Sequence, residues 1–369
     1  MIEEKLSFID ELGPSKVIQI YAPRIGLKAF LVVDNVAAGP AIGGIRMAPD
    51  ATKEEAFRLA RAMTLKNAAA GLPHGGGKSV IIADPKMPLE KKEELIRAFA
   101  VAIKDVKDYI PGPDMGTNEH FMALIKNEIN RCIGLPREVG GIPLDEIGAT
   151  GLGVKVAAQT AYEMYRLDIK GARVVIQGFG AVGYHSARFL TEMGAIVVAV
   201  SDSKGTIIDP EGLPLNDLYL FKKTGKSVSE FADAKPGDVH AIVGVECDIW
   251  IPAARPDVIN MDNVDRLRTG LIVQGANIPI TVEAEGALFK KGIHSIPDFI
   301  ANAGGVICAA VEYSGGTENQ ALEVIEEKVS RNTKEVIEAS LNKNISIRDA
   351  ALEIAQNRVI KAMSYVRGI

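Results

Sequence analysis

Two lysines and an aspartate stand at spacings that suit proton and anion chemistry. Lys78 follows three glycines in the run GLPHGGGKSV, Gly71 to Val80. A lysine held in a partly desolvated pocket has a depressed pKa and serves as base or nucleophile near neutral pH. On this run alone, an exposed loop lysine is the alternative. Lys66 shares a stripe with Leu59, Met63 and Ala70 at i, i+4, i+7 spacing. A lysine on such a stripe either snorkels or meets a buried anion. Two ammonium groups facing one cleft would suit a substrate carrying a carboxylate, and each would lower the other's pKa. Asp114, in IPGPDMGTNEH, is the acid/base candidate; a turn-capping aspartate is the alternative.

GGGKS also resembles the end of the phosphate-binding pattern G-x-x-x-x-G-K-[ST], but it fails on two counts. The required first glycine falls at Leu72, with Gly71 one residue too early. A phosphate loop leaves a strand and enters a helix, whereas this run leaves a helical pattern and enters the apolar SVIIA.

A second glycine motif has the right context. Gly178-Phe179-Gly180-Ala181-Val182-Gly183 follows the strand-like RVVIQ and opens a helical segment, and Asp202 ends the next strand. This is the βαβ setting of a dinucleotide site. Gly178 permits the tight turn, Gly180 admits the pyrophosphate, and Gly183 lets helix and strand pack. The helix N-terminus presents free N–H groups to the phosphates. Asp202 is expected to accept from the adenine ribose hydroxyls and so to favour NAD. Ser203 and Lys204 could contact a 2′-phosphate, which keeps NADP possible.

These groups need elements to hold them. Lys28–Val33 reads as a strand, followed by a loop rich in Gly and Pro. Thr52 to Glu55 is a T-x-x-E capping box opening a helix to about Ala70. Ser79–Ala83 reads as a strand, Leu89–Lys107 as a helix, and Ile110–His120 as irregular loop. GGIPLDEIGATGLG reads as a hinge. A helix over Val154–Tyr165, the βαβ unit through Val200, strands at Asp248–Pro252 and Leu271–Gln274, and a helical tail broken near Asn342–Ser346 follow. The expected fold is α/β in two domains: a substrate domain at 1–140, a hinge at 141–153, a Rossmann-type domain at 154–330, and helices at 331–369 returning to the first. The active site is expected in the cleft between the domains.

With 369 residues, 47% hydrophobic and 24% charged, the chain has the composition of a globular protein of about two domains. A net charge of −5 gives no electrostatic reason to expect nucleic acid or an anionic membrane as partner. Cys132, Cys247 and Cys308 form no C-x-x-C pair, so neither a disulfide framework nor a metal site is expected. The acidic, amphipathic N-terminus and the lack of a long apolar run suggest a cytoplasmic protein.

Taken together, GPAIGGIRM (Gly39–Met47), MTLKNAAAGLPHGGGKSVI (Met63–Ile81), PGPDMGT (Pro111–Thr117), GATGLGV (Gly148–Val154), IQGFGAVG (Ile176–Gly183), QGANIP (Gln274–Pro279) and IPDFIANAGGV (Ile296–Val306) resemble the glutamate, leucine, phenylalanine and valine dehydrogenase family. The resemblance implies reversible, NAD-dependent deamination of an L-amino acid to a 2-oxo acid and ammonia. It implies that Lys66 holds the substrate α-carboxylate, Lys78 activates water, and Asp114 shuttles protons. Thr150, Asn277 and Asn302 are then expected near the cofactor, with Ile42, Gly43, Val306 and Ala309 around the substrate. Glutamate enzymes of this family carry a lysine at the position of Ile42 and a serine at that of Ala309. The departure points to leucine, valine or isoleucine, with phenylalanine or glutamate as alternatives, and to the leucine/phenylalanine branch at the pocket. The resemblance also implies a homo-oligomer, and it gives His74 no role.

Overall fold

The computed structural model describes residues 9–231 and 235–366, and the first eight residues of the acidic N-terminus lie outside them. The chain forms two compact units, 1–143 with 308–320 and 353–369, and 144–307 with 321–352.

The first unit contains β1 (Lys16–Ala22), β2 (Leu27–Asn35), β3 (Ala41–Ala48), α1 (Lys53–Ala69), β4 (Gly75–Ile82), α2 (Leu89–Ala102), β5 (Tyr109–Pro113) and α3 (Glu119–Ile129). The five strands form one sheet in the order β1-β2-β4-β3-β5. β4 runs antiparallel to β2 and parallel to β3, and β3 runs parallel to β5. One face packs Leu31, Val33, Ile45 and Ile81 with Leu95, Phe99 and Ile125 of α2 and α3. On the other face, Val32 and Val80 meet Ala56, Phe57 and Ala60 of α1.

Three readings of this unit change. The Gly/Pro segment after Val33 contains the strand β3, and β4 begins at Gly75, four residues before the expected Ser79. Ile110–Pro113 is strand, because β5 pairs with β3 from Ala41↔Tyr109 to Ile45↔Pro113. The Gly75–Gly77 run is set by the fold around it. A Cβ at Gly76 would stand 2.0 Å from the Thr64 nitrogen, and one at Gly77 2.9 Å from the Tyr109 ring. Glycine therefore lets α1 lie against the backbone of β4. At the start of α1, Thr52 accepts from the Glu55 amide at 3.1 Å. The Glu55 carboxylate pairs with Arg46.

The second unit carries α4 (Ala149–Met164), β6 (Arg173–Gln177), α5 (Ala181–Glu192), β7 (Ile196–Ser201), β8 (Thr206–Ile208), α6 (Leu215–Lys223), β9 (Lys235–Gly237), β10 (Ile249–Pro252), β11 (Leu271–Val273), α7 (Val282–Lys290), β12 (His294–Ile296) and α8 (Asp298–Ala301). α9 (Gly304–Tyr313) carries the chain from the second unit into the first. The sheet order is β12-β11-β10-β6-β7-β8-β9, parallel from β12 to β7 and antiparallel beyond. β6 lies where the strand order reverses, the position at which open α/β sheets bind ligands.

α10 (Glu318–Lys343) and α11 (Ile347–Met363) complete the chain. Most of α10 groups with the second unit, which differs from the expected return of 331–369 as a whole. Its buried stripe includes Ala321, Ile325, Val329 and Val336. Ser330 accepts from the Thr160 hydroxyl of α4 at 3.2 Å. The last part of α11 belongs to the first unit, where Arg358 donates to the Ala68 and Ala69 carbonyls at the end of α1. Among the described residues, no helix is long and apolar enough to cross a membrane. The three cysteines are buried and unpaired.

Candidate functional site

In the first unit, strand pairing brings Lys78 and Asp114 together. Alternation along β4 puts Lys78 on the α1 face, with Val80 two residues on. The same period along β3 puts Ile42, Gly44 and Arg46 on that face. Asp114 directly follows β5, whose Pro113 pairs with Ile45. Lys78 Nζ donates to Asp114 Oδ2 at 2.5 Å, and Arg46 Nε donates to the same oxygen at 3.0 Å. Gly44 leaves the space across which the lysine reaches. A Cβ there would lie 2.8 Å from the Asp114 Cβ and 3.3 Å from Lys78 Nζ.

The loop beyond β5 holds the carboxylate in place. The Asp114 amide donates to the Thr117 hydroxyl at 3.0 Å, and that hydroxyl donates to the Ile45 carbonyl at 2.8 Å. On the opposite face, the Tyr109 hydroxyl donates to the Gly43 carbonyl at 2.8 Å and accepts from Ser79 at 3.0 Å. These bonds tie β5 to β3 and to the residue after Lys78 on β4.

The electrostatics follow from burial and charge. The Lys78 side chain is only 8% exposed. Burial draws its ammonium below the ordinary lysine range, Asp114 opposes that shift, and Arg46 reinforces it. For Asp114, burial alone would raise the carboxyl, but Lys78 and Arg46 outweigh it and hold the group below the usual carboxylate range. The result is an ionised carboxylate beside a lysine that gives up its proton more readily than a free one. Such a pair can take and return protons at a substrate amine or a water.

Arg46 is the residue that sequence reasoning missed. Reading GPAIGGIRM as loop hid the period-two spacing of Ile42, Gly44 and Arg46, which is the signal that places all three on one face.

Beside this pair is an apolar wall. Ile42, Ile110, Ile133 and Ala309 form one buried cluster, with Met63 of α1 packed against it. Glu312, one turn after Ala309, accepts from the Leu135 and Ile142 amides at 3.2 and 2.8 Å, which fixes this end of α9. Lys66 lies almost one turn beyond Met63 in α1 and is half-buried. Gly43 sits where a Cβ would strike the Gly77 carbonyl oxygen at 1.7 Å, so its role is strand approach. His74 bonds the Pro40 carbonyl at 3.1 Å and lines a small cavity with Asn35, Thr64, Leu72 and Arg358. Burial holds its imidazole below the usual range. Among the described residues, no cluster of His, Cys, Asp and Glu is arranged to hold a metal.

The second unit holds the glycine turn at the end of β6. Gly178 has φ +100°, and a Cβ there would lie 2.8 Å from the Ala253 carbonyl carbon. A Cβ on Gly183 would stand 1.9 Å from the Gly178 oxygen. These two glycines let α5 start directly against the strand. Around Gly180, by contrast, no atom beyond its chain neighbours lies within 4 Å of a Cβ position. The first-turn amides of Ala181, Val182 and Gly183 have no acceptor within the helix. This cradle fits the pyrophosphate of a dinucleotide. The Phe179 side chain is buried, leaving its backbone to face the turn.

The other predicted cofactor residues are also placed in this unit, and so is Val306, expected around the substrate. Asn302 donates to Asn277 Oδ1 at 3.1 Å and to the Gly275 and Ala276 carbonyls at 3.3 Å. Thr150, in the first turn of α4, faces Gly305. Val306 is half-buried in α9, and Ser203 is exposed beyond β7. Asp202 departs from expectation. Its carboxylate accepts from the Lys204 amide at 2.9 Å, the Ser227 hydroxyl at 2.8 Å, Lys222 Nζ at 2.8 Å and the Val228 amide at 3.0 Å.

Comparison with known proteins agrees with this architecture. Residues 14–131 match the family model described as Glu/Leu/Phe/Val dehydrogenase, dimerisation domain, and residues 140–367 match that of Glutamate/Leucine/Phenylalanine/Valine dehydrogenase. A glutamate dehydrogenase of Aeropyrum pernix is 40% identical, over 89% of this chain and 84% of its own length. An NADP-specific glutamate dehydrogenase of Saccharolobus shibatae is 37% identical, over 96% and 90%. The hetero-hexameric glutamate dehydrogenase of Thermus thermophilus, in its Leu-bound form, superposes with a TM-score of 0.85 at 29% identity, over 96% of this chain and 90% of that one.

Proposed function

Since the chain belongs to the Glutamate/Leucine/Phenylalanine/Valine dehydrogenase family and is an amino-acid dehydrogenase, we propose that Lys78 and Asp114 are its catalytic pair. The observation that carries this is the buried Lys78 ammonium in contact with the Asp114 carboxylate. Lys66 binds the substrate α-carboxylate. The glycine turn at Gly178–Gly183 holds NAD or NADP, with Thr150, Asn277 and Asn302 toward the nicotinamide. When bound, the dinucleotide supplies the hydride acceptor. Loss of hydride from Cα leaves an iminium carbon. Lys78, as free base, takes a proton from the water that attacks it. Asp114 takes a proton from the substrate ammonium before the hydride leaves and returns it to the carbinolamine nitrogen; the C–N bond then breaks as the hydroxyl gives its proton to Asp114 and becomes the carbonyl, and the products are the 2-oxo acid and ammonia.

For the substrate side chain, L-glutamate is the first reading. It is supported by relatives up to 40% identical that are named glutamate dehydrogenases. The NADP-specific relative supports use of NADP beside NAD. One specific observation favours a second reading, an apolar amino acid such as leucine, valine, isoleucine or phenylalanine. The wall formed by Ile42, Ile110, Ile133, Met63 and Ala309 carries no charge. A γ-carboxylate against it would lose several kcal/mol unless paired. An apolar side chain would gain about 0.8 kcal/mol per buried methylene. A homo-oligomer is part of the proposal, supported by the dimerisation-domain match.

The test is NADH and NADPH formation with L-glutamate, leucine, valine, isoleucine and phenylalanine. Turnover of glutamate alone supports the first reading, and turnover of the apolar set without glutamate supports the second. No turnover of any amino acid, by a protein that binds dinucleotide, would contradict the catalytic assignment.

A further inference from the structure

We propose that Ile278 is a cofactor-contact residue, its exposed side chain packing on the nicotinamide ring of the bound dinucleotide. That contact offsets the backbone strain at which the chain holds it. The inference rests on the dinucleotide reading of the second unit and deepens it.

Ile278 lies in the left-handed region, at φ +42°. Among the described residues, the other non-glycine positions with positive φ are Asn130, Arg166, Asp257 and Asn344, and none of these is β-branched. A β-branched side chain crowds the backbone there, and the following Pro279 biases its predecessor toward extended geometry. Contacts on both sides enforce the conformation. The Ile278 amide donates to Asp298 Oδ2 at 2.8 Å, and its carbonyl accepts from the Asp257 amide at 3.0 Å. The Pro279 carbonyl accepts from the Ile259 amide at 3.1 Å. Asp298 is held in turn by Arg348, which donates to Oδ1 at 3.1 Å, and by its own amide, which donates to Gln274 Oε1 at 3.2 Å. Such strain persists only where its surroundings over-determine it, and it clusters at ligand sites.

Glycine would hold the same turn without strain, so an isoleucine here needs a contact that offsets the cost. Packing within the chain supplies little of it, since Ile278 is 47% exposed. The position of the loop identifies the rest. β6, β10 and β11 run parallel, so the loop after β11 and the glycine turn after β6 leave the same edge of the sheet. The two are neighbours: a Cβ on Gly275 would lie 3.2 Å from the Val182 side chain, in the first turn of α5. Beside Ile278, Asn277 Oδ1 accepts from Asn302 Nδ2 at 3.1 Å. A dinucleotide with its pyrophosphate on the glycine turn carries one ring at each end, and these asparagines mark the nicotinamide end. The face of that ring is an apolar surface which a branched side chain can cover, and burying both removes them from water.

The test measures Kd by calorimetry on the full chain for NAD+ and NADP+, and for ADP-ribose and its 2′-phosphate, which lack the nicotinamide. Melting temperatures are recorded beside them. Ile278→Gly is expected to melt at or above the wild-type temperature, because glycine relieves the strain. It is expected to weaken the full dinucleotides by about fivefold or more and to leave the ADP-ribose ligands within about twofold. Ile278→Val, which keeps a branched side chain, is expected to stay within about threefold of wild type for every ligand. A lower melting temperature in Ile278→Gly, equal changes for ligands with and without nicotinamide, or a valine variant as weak as the glycine one overturns the inference and leaves the dinucleotide reading standing. Binding of none of these ligands by the wild type overturns both.

Discussion

Lys78 and Arg46 donate to the same carboxylate oxygen of Asp114, from 2.5 and 3.0 Å. Asp114 thus bridges two cations on adjacent parallel strands, and Glu55 pairs with Arg46 as a second carboxylate. The two cations also act on each other, since Arg46 lowers the Lys78 pKa while Asp114 raises it.

That opposition gives a signed pH prediction. If Lys78 works as free base, kcat/KM rises with pH through its pKa, below the ordinary lysine value of about 10.4. Arg46→Gln removes a cation, so the rising limb moves to higher pH. Asp114→Asn removes an anion, so the limb of the residual activity moves to lower pH. Profiles for both variants check this, and shifts in the same direction would contradict it.

Gly44 yields a steric prediction. A methyl group there would press on Asp114 and on the Pro113 carbonyl, each at 2.8 Å. Overpacking of this kind costs about 1–3 kcal/mol. Gly44→Ala should lower the melting temperature slightly and reduce kcat strongly, because the pair is forced apart, while dinucleotide affinity stays at the wild-type level. A variant with wild-type kcat would show that the contact is dispensable.

Asp202 yields a stability prediction with its own sign. Burial would raise its carboxyl, but Lys222, the Lys204 and Val228 amides and Ser227 outweigh burial and hold it well below the carboxylate range. A depressed pKa contributes stability that is present above the unfolded value, near 3.9, and lost as pH falls below it. Asp202→Asn should therefore cost about 2 kcal/mol at pH 6. The gap in melting temperature between wild type and variant should narrow at pH 3, and an equal gap at both pH values would contradict this account.

What the sequence revealed depended on whether a signal was local. β6, the glycine turn and β7 were legible because strand, turn and helix cues lie within thirty residues. α1 and the break between α10 and α11 were legible for the same reason. β3 and β5 were hidden by Gly43, Gly44, Gly112 and the flanking prolines, which weaken strand propensity. Those strands form because β4 and its neighbours pair with them, and pairing leaves no local mark. The glycines before Lys78 admit the Thr64 backbone of α1 and the Tyr109 ring, an approach that only the fold reveals.

The site divides along the same line. Lys78 and Asp114 were found from residue type and neighbourhood, and the structure sets them in contact. Arg46 was missed with β3. The partners of Asp202 were invisible because Lys222, Ser227 and Val228 follow it by 20 to 26 residues and reach it only through the fold. A carboxylate at the end of a strand suggests a ribose contact, but only the tertiary structure shows whether its lone pairs are available.

The most direct test of the catalytic pair is Lys78→Ala, assayed for amino-acid turnover and, separately, for dinucleotide binding. Loss of a positioned base should reduce kcat by about 10²–10⁴-fold. Dinucleotide affinity should stay within about twofold, since Lys78 belongs to the first unit and the glycine turn to the second. Turnover near the wild-type rate would contradict the assignment, and so would loss of dinucleotide binding in a folded variant.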